Sequence, residues 1–178
     1  SRAHHVGMTY DWNINQNLHL KIEPYFQYLF RIPVEKNSSF SVINHEEFYL
    51  DRILTNTGQG RNYGIDITLE QYMKNGFYYM ITGSLFKSKY RGGDTRLDKN
   101  YLLNLLAGKE WMVGKLKQNV LSLNGRLFFQ GGERYTPVNE ERSQTEHDIV
   151  FDETKAYSKR FNPSINGDVS VSFRINKK

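Results

Sequence analysis

The chain has 178 residues, with 24 Lys and Arg against 19 Asp and Glu for a net charge of +5, and no cysteine. Lacking thiols, it has no disulfide scaffold, no thiolate metal site and no cysteine nucleophile. No run approaches the roughly 18 consecutive apolar residues that a membrane-spanning helix needs.

A pI near 9.3 raises nucleic-acid binding, which needs cations gathered on one face. Here they are dispersed: the densest group, Lys109–Lys117, is interrupted by Glu110 and Trp111. No nucleic-acid partner is expected. Residues 1–20 carry no signal-peptide pattern. A mean hydropathy of -0.66 accompanies 12 Tyr, 11 Phe and 2 Trp. Strands with one apolar and one polar face reconcile the two.

Taken in chain order, the first strand covers about residues 3–13, with Val6, Met8, Tyr10 and Trp12 on one side. The second, about 17–32, is the cleanest: Leu18, Leu20, Ile22, Pro24, Phe26, Tyr28, Phe30 and Ile32 occupy every even position. Between them stand His19, Lys21, Glu23, Tyr25, Gln27, Leu29 and Arg31. A helix would spread that pattern around its circumference, whereas a strand keeps it on two faces. The third, about 62–74, sets Tyr63, Ile65, Ile67 and Leu69 against Asn62, Asp66, Thr68 and Glu70. Weaker alternation marks strands at about 77–89, 101–113 and 119–131. The seventh, about 162–176, places Ile165, Val169, Val171, Phe173 and Ile175 opposite Asn166, Asp168, Ser170, Ser172 and Arg174. No segment holds a 3.6-residue period over three turns. The fold class is all-β, an antiparallel up-and-down meander of about seven long strands.

The connections alternate between short and long. Short turns occupy Asn13–Asn17, Lys74–Gly76 and Gly114–Gln118, and Asn75-Gly76 is a hairpin signal because both residues tolerate positive φ. Long loops cover about 33–61, 88–100 and 131–161. Strict alternation gathers all short turns at one end of the sheet and all long loops at the other, the arrangement of an outer-membrane barrel. The aromatics fall into two bands on that axis. Tyr10, Trp12, Tyr72, Phe77, Tyr78, Tyr79, Trp111 and Phe173 lie toward the short turns. Phe26, Tyr28, Phe30, Tyr63, Phe86, Tyr90, Tyr101, Phe128 and Phe129 lie toward the loops. Interfacial girdles look like this.

The run Asn56-Thr57-Gly58-Gln59-Gly60-Arg61-Asn62-Tyr63-Gly64-Ile65-Asp66-Ile67-Thr68-Leu69-Glu70 resembles a strand opening of Bacteroidetes-type TonB-dependent outer-membrane receptors. Pro24–Gln27, Ser38–Asn44, Leu85–Tyr90, Gly108–Trp111 and Gly131–Pro137 resemble pieces of the same family in the same order. The resemblance implies localisation in the cell outer membrane. It also implies active uptake of a scarce nutrient such as an iron chelate, cobalamin or glycan. In that family an N-terminal plug fills a barrel of about 22 strands, and an inner-membrane TonB complex pulls on a short N-terminal box. No plug or box is recognisable here. Residues 1–178 therefore read as one partial β-barrel segment, truncated at both ends and not transport-competent alone. Its expected partners are outer-membrane lipid, the plug, the remaining barrel strands and the TonB complex. Seven strands leave two open edges, so edge-to-edge self-association is expected of the isolated chain.

By chemistry and position, the loop residues expected to meet a ligand are Tyr49, Arg52, Arg91, Asp94, Arg134 and Tyr135. No catalytic residue, metal site or cofactor is expected. His4 and His5 point to opposite faces of a strand, and His45-Glu46-Glu47 lacks the i, i+4 histidine pair of a zincin. The carboxylates between Glu133 and Glu153 suit a solvated loop, and nothing marks Ser143, with His147 and Asp148 nearby, as an activated nucleophile. The rival readings are a soluble β-sandwich or calycin-like carrier and an outer-membrane barrel enzyme. The carrier reading requires Leu18, Leu20, Ile22 and Phe26 to converge on a closed interior.

Overall fold

The computed structural model describes residues 1–36, 53–91 and 93–176. Its long strands are β1 (Arg2–Gly7), β2 (Tyr10–Asn15), β3 (Leu18–Glu35), β4 (Leu54–Lys74), β5 (Phe77–Tyr90), β7 (Tyr101–Val113), β8 (Asn119–Gln130) and β11 (Ser164–Arg174). Short pieces are β6 (Gly93–Asp94), β9 (Arg134–Tyr135), β10 (Lys159–Arg160), the α-helix α1 (Glu140–Glu146) and a 3-10 turn at Glu153–Lys155. The main sheet runs β1-β3-β4-β5-β7-β8-β11, with β2 also on β3 and β6 on β5. Every pairing in it is antiparallel. The fold is an all-β up-and-down meander. No helix among the described residues is long and apolar enough to cross a membrane.

Local chemistry accounts for the elements and for where they depart from the alternation. The first strand is broken into β1 and β2 because Met8 falls opposite Pro24. Met8 donates its N–H to the Pro24 carbonyl (3.1 Å), but proline returns no donor, so the ladder lapses there. The β4–β5 hairpin closes through Asn75 at φ 54° and Gly76 at φ 74°, the left-handed pair that matches strand twist. A Cβ on Gly76 would meet the Glu110 carbonyl oxygen at 2.3 Å. β4 begins at Leu54, ahead of any alternation, because Asn56–Gly60 is polar and glycine-rich yet still pairs with the end of β3. α1, inside the last long connection, is too short to show a periodicity. Asn139 caps it by accepting the Arg142 N–H at 3.0 Å.

Register assigns side chains to faces, since residues directly opposite share one. One row reads Tyr10, Ile22, Ile67, Gly83, Leu103, Phe129, Ile165 across the whole sheet. The next reads Trp12, Leu20, Leu69, Ile81, Leu105, Leu127, Gly167. The opposite face carries Lys21, Glu23, Asp66, Glu70, Glu110 and Arg126. It is laced by hydrogen bonds such as Asn62 Nδ2 to Gln27 Oε1 (2.8 Å), Ser88 Oγ to Asn62 Oδ1 (2.7 Å) and Arg126 Nε to Asn104 Oδ1 (3.0 Å). Asp66 and Ser84 are bonded across the same face.

Three details correct the sequence-based assignment of faces. Phe30 pairs with Gln59 but Ile32 pairs with Gly58, so a bulge at Arg31 (φ 54°) reverses the phase of β3. Ile32 therefore leaves the apolar row and joins Val34, Tyr90 and Leu29 in a small buried cluster. Arg31 itself lines a hollow with His4, Tyr28 and Phe30 and is not on the polar face. Register also puts Tyr78, Phe86, Tyr90 and Phe128 on the polar face. The aromatic bands of the apolar face are thus Phe26, Tyr28, Phe30, Tyr63, Tyr101 and Phe129 toward the long loops, and Tyr10, Trp12, Phe77, Tyr79, Trp111 and Phe173 toward the short turns.

On the polar face, three tyrosines lie directly opposite glycines: Tyr25 and Gly64, Tyr90 and Gly60, Tyr78 and Gly108. Each ring fills the space where the glycine Cβ would stand. A Cβ at Gly108 would come within 2.5 Å of the Tyr78 ring, at Gly60 within 2.9 Å of Tyr90, and at Gly64 within 2.8 Å of the Tyr25 hydroxyl. Glycines covered by cross-strand aromatics let strands close up on one side, a device that curves sheets.

The described residues form no conventional core. Among the described residues the buried apolar side chains are Ile32, Val34, Tyr90 and Val120. Val169 is 78 % exposed and Leu85 61 %, so the apolar face is uncovered.

Candidate functional site

Parts of two long connections, 93–100 and 131–163, meet at one end of the sheet around Asp98. This carboxylate is 0 % exposed. One oxygen accepts the Ser88 N–H at 3.0 Å. The other accepts from Lys87 Nζ at 2.8 Å and Arg134 Nε at 3.0 Å, with Arg160 at 3.5 Å. Burial alone would push the Asp98 carboxyl up. The Lys87 hydrogen bond and charge, the Ser88 N–H and Arg134 outweigh it, holding the group below the usual carboxylate range. Asp94 shares two of these cations, lying 3.0 Å from Lys87 and 2.8 Å from Arg134. Beside them Glu133 is bracketed by Arg96 at 3.3 Å and Lys99 at 3.2 Å.

Against this charged base lies a cleft of about 430 Å³, whose apolar wall is Tyr135, Val138, Phe151, Tyr157 and Phe161. The Tyr135 and Phe161 rings meet at 4.5 Å between centroids, held by the β9–β10 ribbon, in which Tyr135 pairs with Lys159. Phe151 is 51 % exposed and Phe161 59 %. The arrangement offers an aromatic platform over fixed charges. No Ser, Cys or His is among its described lining residues.

Of the six residues expected to meet a ligand, the structure brings three together. Asp94 and Arg134 are ion-paired, and Tyr135 follows Arg134 at the cleft. Arg134 is committed to Asp94 and Asp98, and Asp94 to Arg134 and Lys87, so Asp94 and Arg134 form the base of the site. Arg91 lies apart at the β5 end, where its guanidinium donates to the Glu35 carbonyl at 3.0 Å. Tyr49 and Arg52 fall outside the described residues, as do His45, Glu46 and Glu47. Asp98, Lys87, Arg160, Tyr157 and Phe161 are additions that the sequence does not announce. Arg91–Asn100 alternates acids and bases without marking which one is buried.

Elsewhere, Ser143 Oγ accepts the Val150 N–H at 2.9 Å, and His147 ends α1 in the left-handed conformation at φ 52°. Among the described residues no three His, Asp or Glu side chains converge as metal ligands. Scans against family models, curated proteins and solved structures return no match for this chain.

Proposed function

We propose that the chain is a wall segment of an outer-membrane β-barrel of the TonB-dependent receptor type, serving non-enzymatic uptake of a scarce nutrient. The observation that carries this reading is the apolar face. It is continuous from β2 across β3, β4, β5, β7 and β8 to β11, bounded by aromatics at both ends and open. From Tyr101 to Trp111, strand rise at a barrel's usual tilt gives a band roughly 25 Å tall, the height of a bilayer-facing belt. The polar, glycine-kinked face suits the concave lumen side, where a plug would sit. The aromatic cleft lies at the loop end, where nutrient would arrive. The carrier alternative loses its requirement: Leu18, Leu20 and Ile22 are half-buried and Phe26 is 44 % exposed on the open face.

Adjacent residues of β7 provide the test. Leu105 is on the apolar face and Asn104 on the polar one. Leu105→Arg should cost about 2–4 kcal/mol of stability in lipid, while Asn104→Arg is tolerated. Folding into phosphatidylcholine vesicles, followed by circular dichroism and protease protection, reads the difference. Equal tolerance of both substitutions refutes a lipid-facing role for that surface.

A further inference from the structure

At the long-loop end of the apolar face the rows change character. One row reads His4, Tyr28, Arg61, Lys89 in direct cross-strand succession, and the row beyond it begins Arg2, Phe30, Gln59. Arg61 and Lys89 are like charges placed directly opposite, an unfavourable pairing in an antiparallel ladder. The side chains of both are exposed and make no hydrogen bond or ion pair with any described residue. The same holds for Arg2 and Arg31. Asp94 lies opposite Lys89, and its oxygens are held by Lys87 and Arg134. Next to Arg61 is a hollow of about 440 Å³ lined by His4, Tyr28, Phe30, Arg31, Asn56, Thr57 and Gln59. Its rim is cationic and its wall aromatic.

Cations that repel one another and have no partner among the described residues are stabilised by an anion between them. Their height decides which anion. Arg61 and Lys89 stand level with Tyr28 and one row outside Phe26 and Tyr63, on the side that the proposed function places against lipid. Headgroup phosphates lie at that level, and an Arg or Lys near an anionic surface gains attraction from it. Arginine also grips phosphate through paired N–H donors.

We infer that Arg2, Arg31, Arg61 and Lys89 form a belt that binds the phosphate headgroups of anionic lipid, with Arg61 and Lys89 bridged by one phosphate. The inference rests on the membrane reading above, but it concerns which lipid the wall selects. It does not depend on what the barrel transports.

The test is co-sedimentation of the full chain with vesicles of phosphatidylcholine alone or with about one fifth phosphatidylglycerol. The unaltered chain should prefer the anionic vesicles. Arg61→Gln with Lys89→Gln should lower that preference about 10- to 30-fold, without changing binding to neutral vesicles. Arg142→Gln with Lys155→Gln removes the same net charge from the last long connection and should leave the preference intact. So should the exchange Arg61→Lys with Lys89→Arg. Inorganic phosphate at about 10 mM, matched in ionic strength by chloride, should not displace the chain. Displacement would reassign the belt to free phosphate and overturn the lipid assignment. A preference that survives the double Gln variant overturns the belt. Equal binding to both vesicle types overturns the belt and leaves the membrane reading standing. Failure to bind either type overturns both.

Discussion

Gly108 and Gly125 lie on neighbouring strands and look alike in sequence, yet their surroundings differ. A Cβ at Gly108 would strike Asn124 Oδ1 at 2.4 Å and the Tyr78 ring at 2.5 Å, whereas one at Gly125 meets nothing within 4 Å. The Tyr78 hydroxyl is also tied to Asn124 at 2.8 Å, so neither neighbour can swing away without losing that bond. Gly108→Ala should therefore cost about 1–3 kcal/mol through overpacking, and Gly125→Ala should stay within about 0.5 kcal/mol. Denaturant midpoints in detergent micelles separate them. The distinction is not legible in the sequence, because which glycine faces a tyrosine depends on register. The alternation at Leu18–Phe30 is legible, because each residue reports its own face without reference to a partner. Ile32 shows the limit: one bulged residue, Arg31, reverses the phase while leaving the pattern of letters unbroken.

Between elements, Asp98 is the fastener. It joins the β5–β7 connection to β5 through Lys87 and Ser88, and to the β8–β11 connection through Arg134 and Arg160. Replacing it with Asn leaves three cations around a neutral group, and breaking a buried pair in this way costs about 3–5 kcal/mol. The pH dependence has a definite sign. A carboxylate held below its unfolded value of about 3.9 contributes stability that is complete above that value. The contribution is lost as pH falls through the lower, folded value. Amide exchange in residues 93–100 and 131–136 should thus be equally protected at pH 7 and pH 5 once corrected for intrinsic rate, and released only below about pH 4. Asp98→Asn should release it at every pH. Earlier loss, near pH 6, would point to a group other than Asp98 as the fastener. The long connections are legible as loops from their composition. Their docking is not, since an ion network converging from four positions leaves no local trace.

For the whole molecule, the decisive fact is that its apolar residues form a face and not a core. Period-two alternation made the all-β meander readable, and the strict order of short and long connections made its polarity readable. Aromatic placement was readable in height but not in side, because Tyr78, Phe86, Tyr90 and Phe128 are as aromatic as the rings of the apolar face. Strand direction adds a constraint on assembly. The first and last members of the path run the same way, so antiparallel closure of this sheet requires an odd number of further strands. Two copies inserted with the same sidedness cannot supply that closure by pairing edge to edge.

Both tryptophans, Trp12 and Trp111, lie on the apolar face at the short-turn end, 48 % and 41 % exposed. The chain thus carries both indoles on the face proposed to meet lipid, and its emission is a gauge of immersion that needs no label. On insertion their emission should shift to the blue. Lipids brominated near the headgroup should then quench it more strongly than lipids brominated at the chain ends. Quenching strongest at the chain ends would put both indoles at the bilayer centre and displace the entire girdle from the interface.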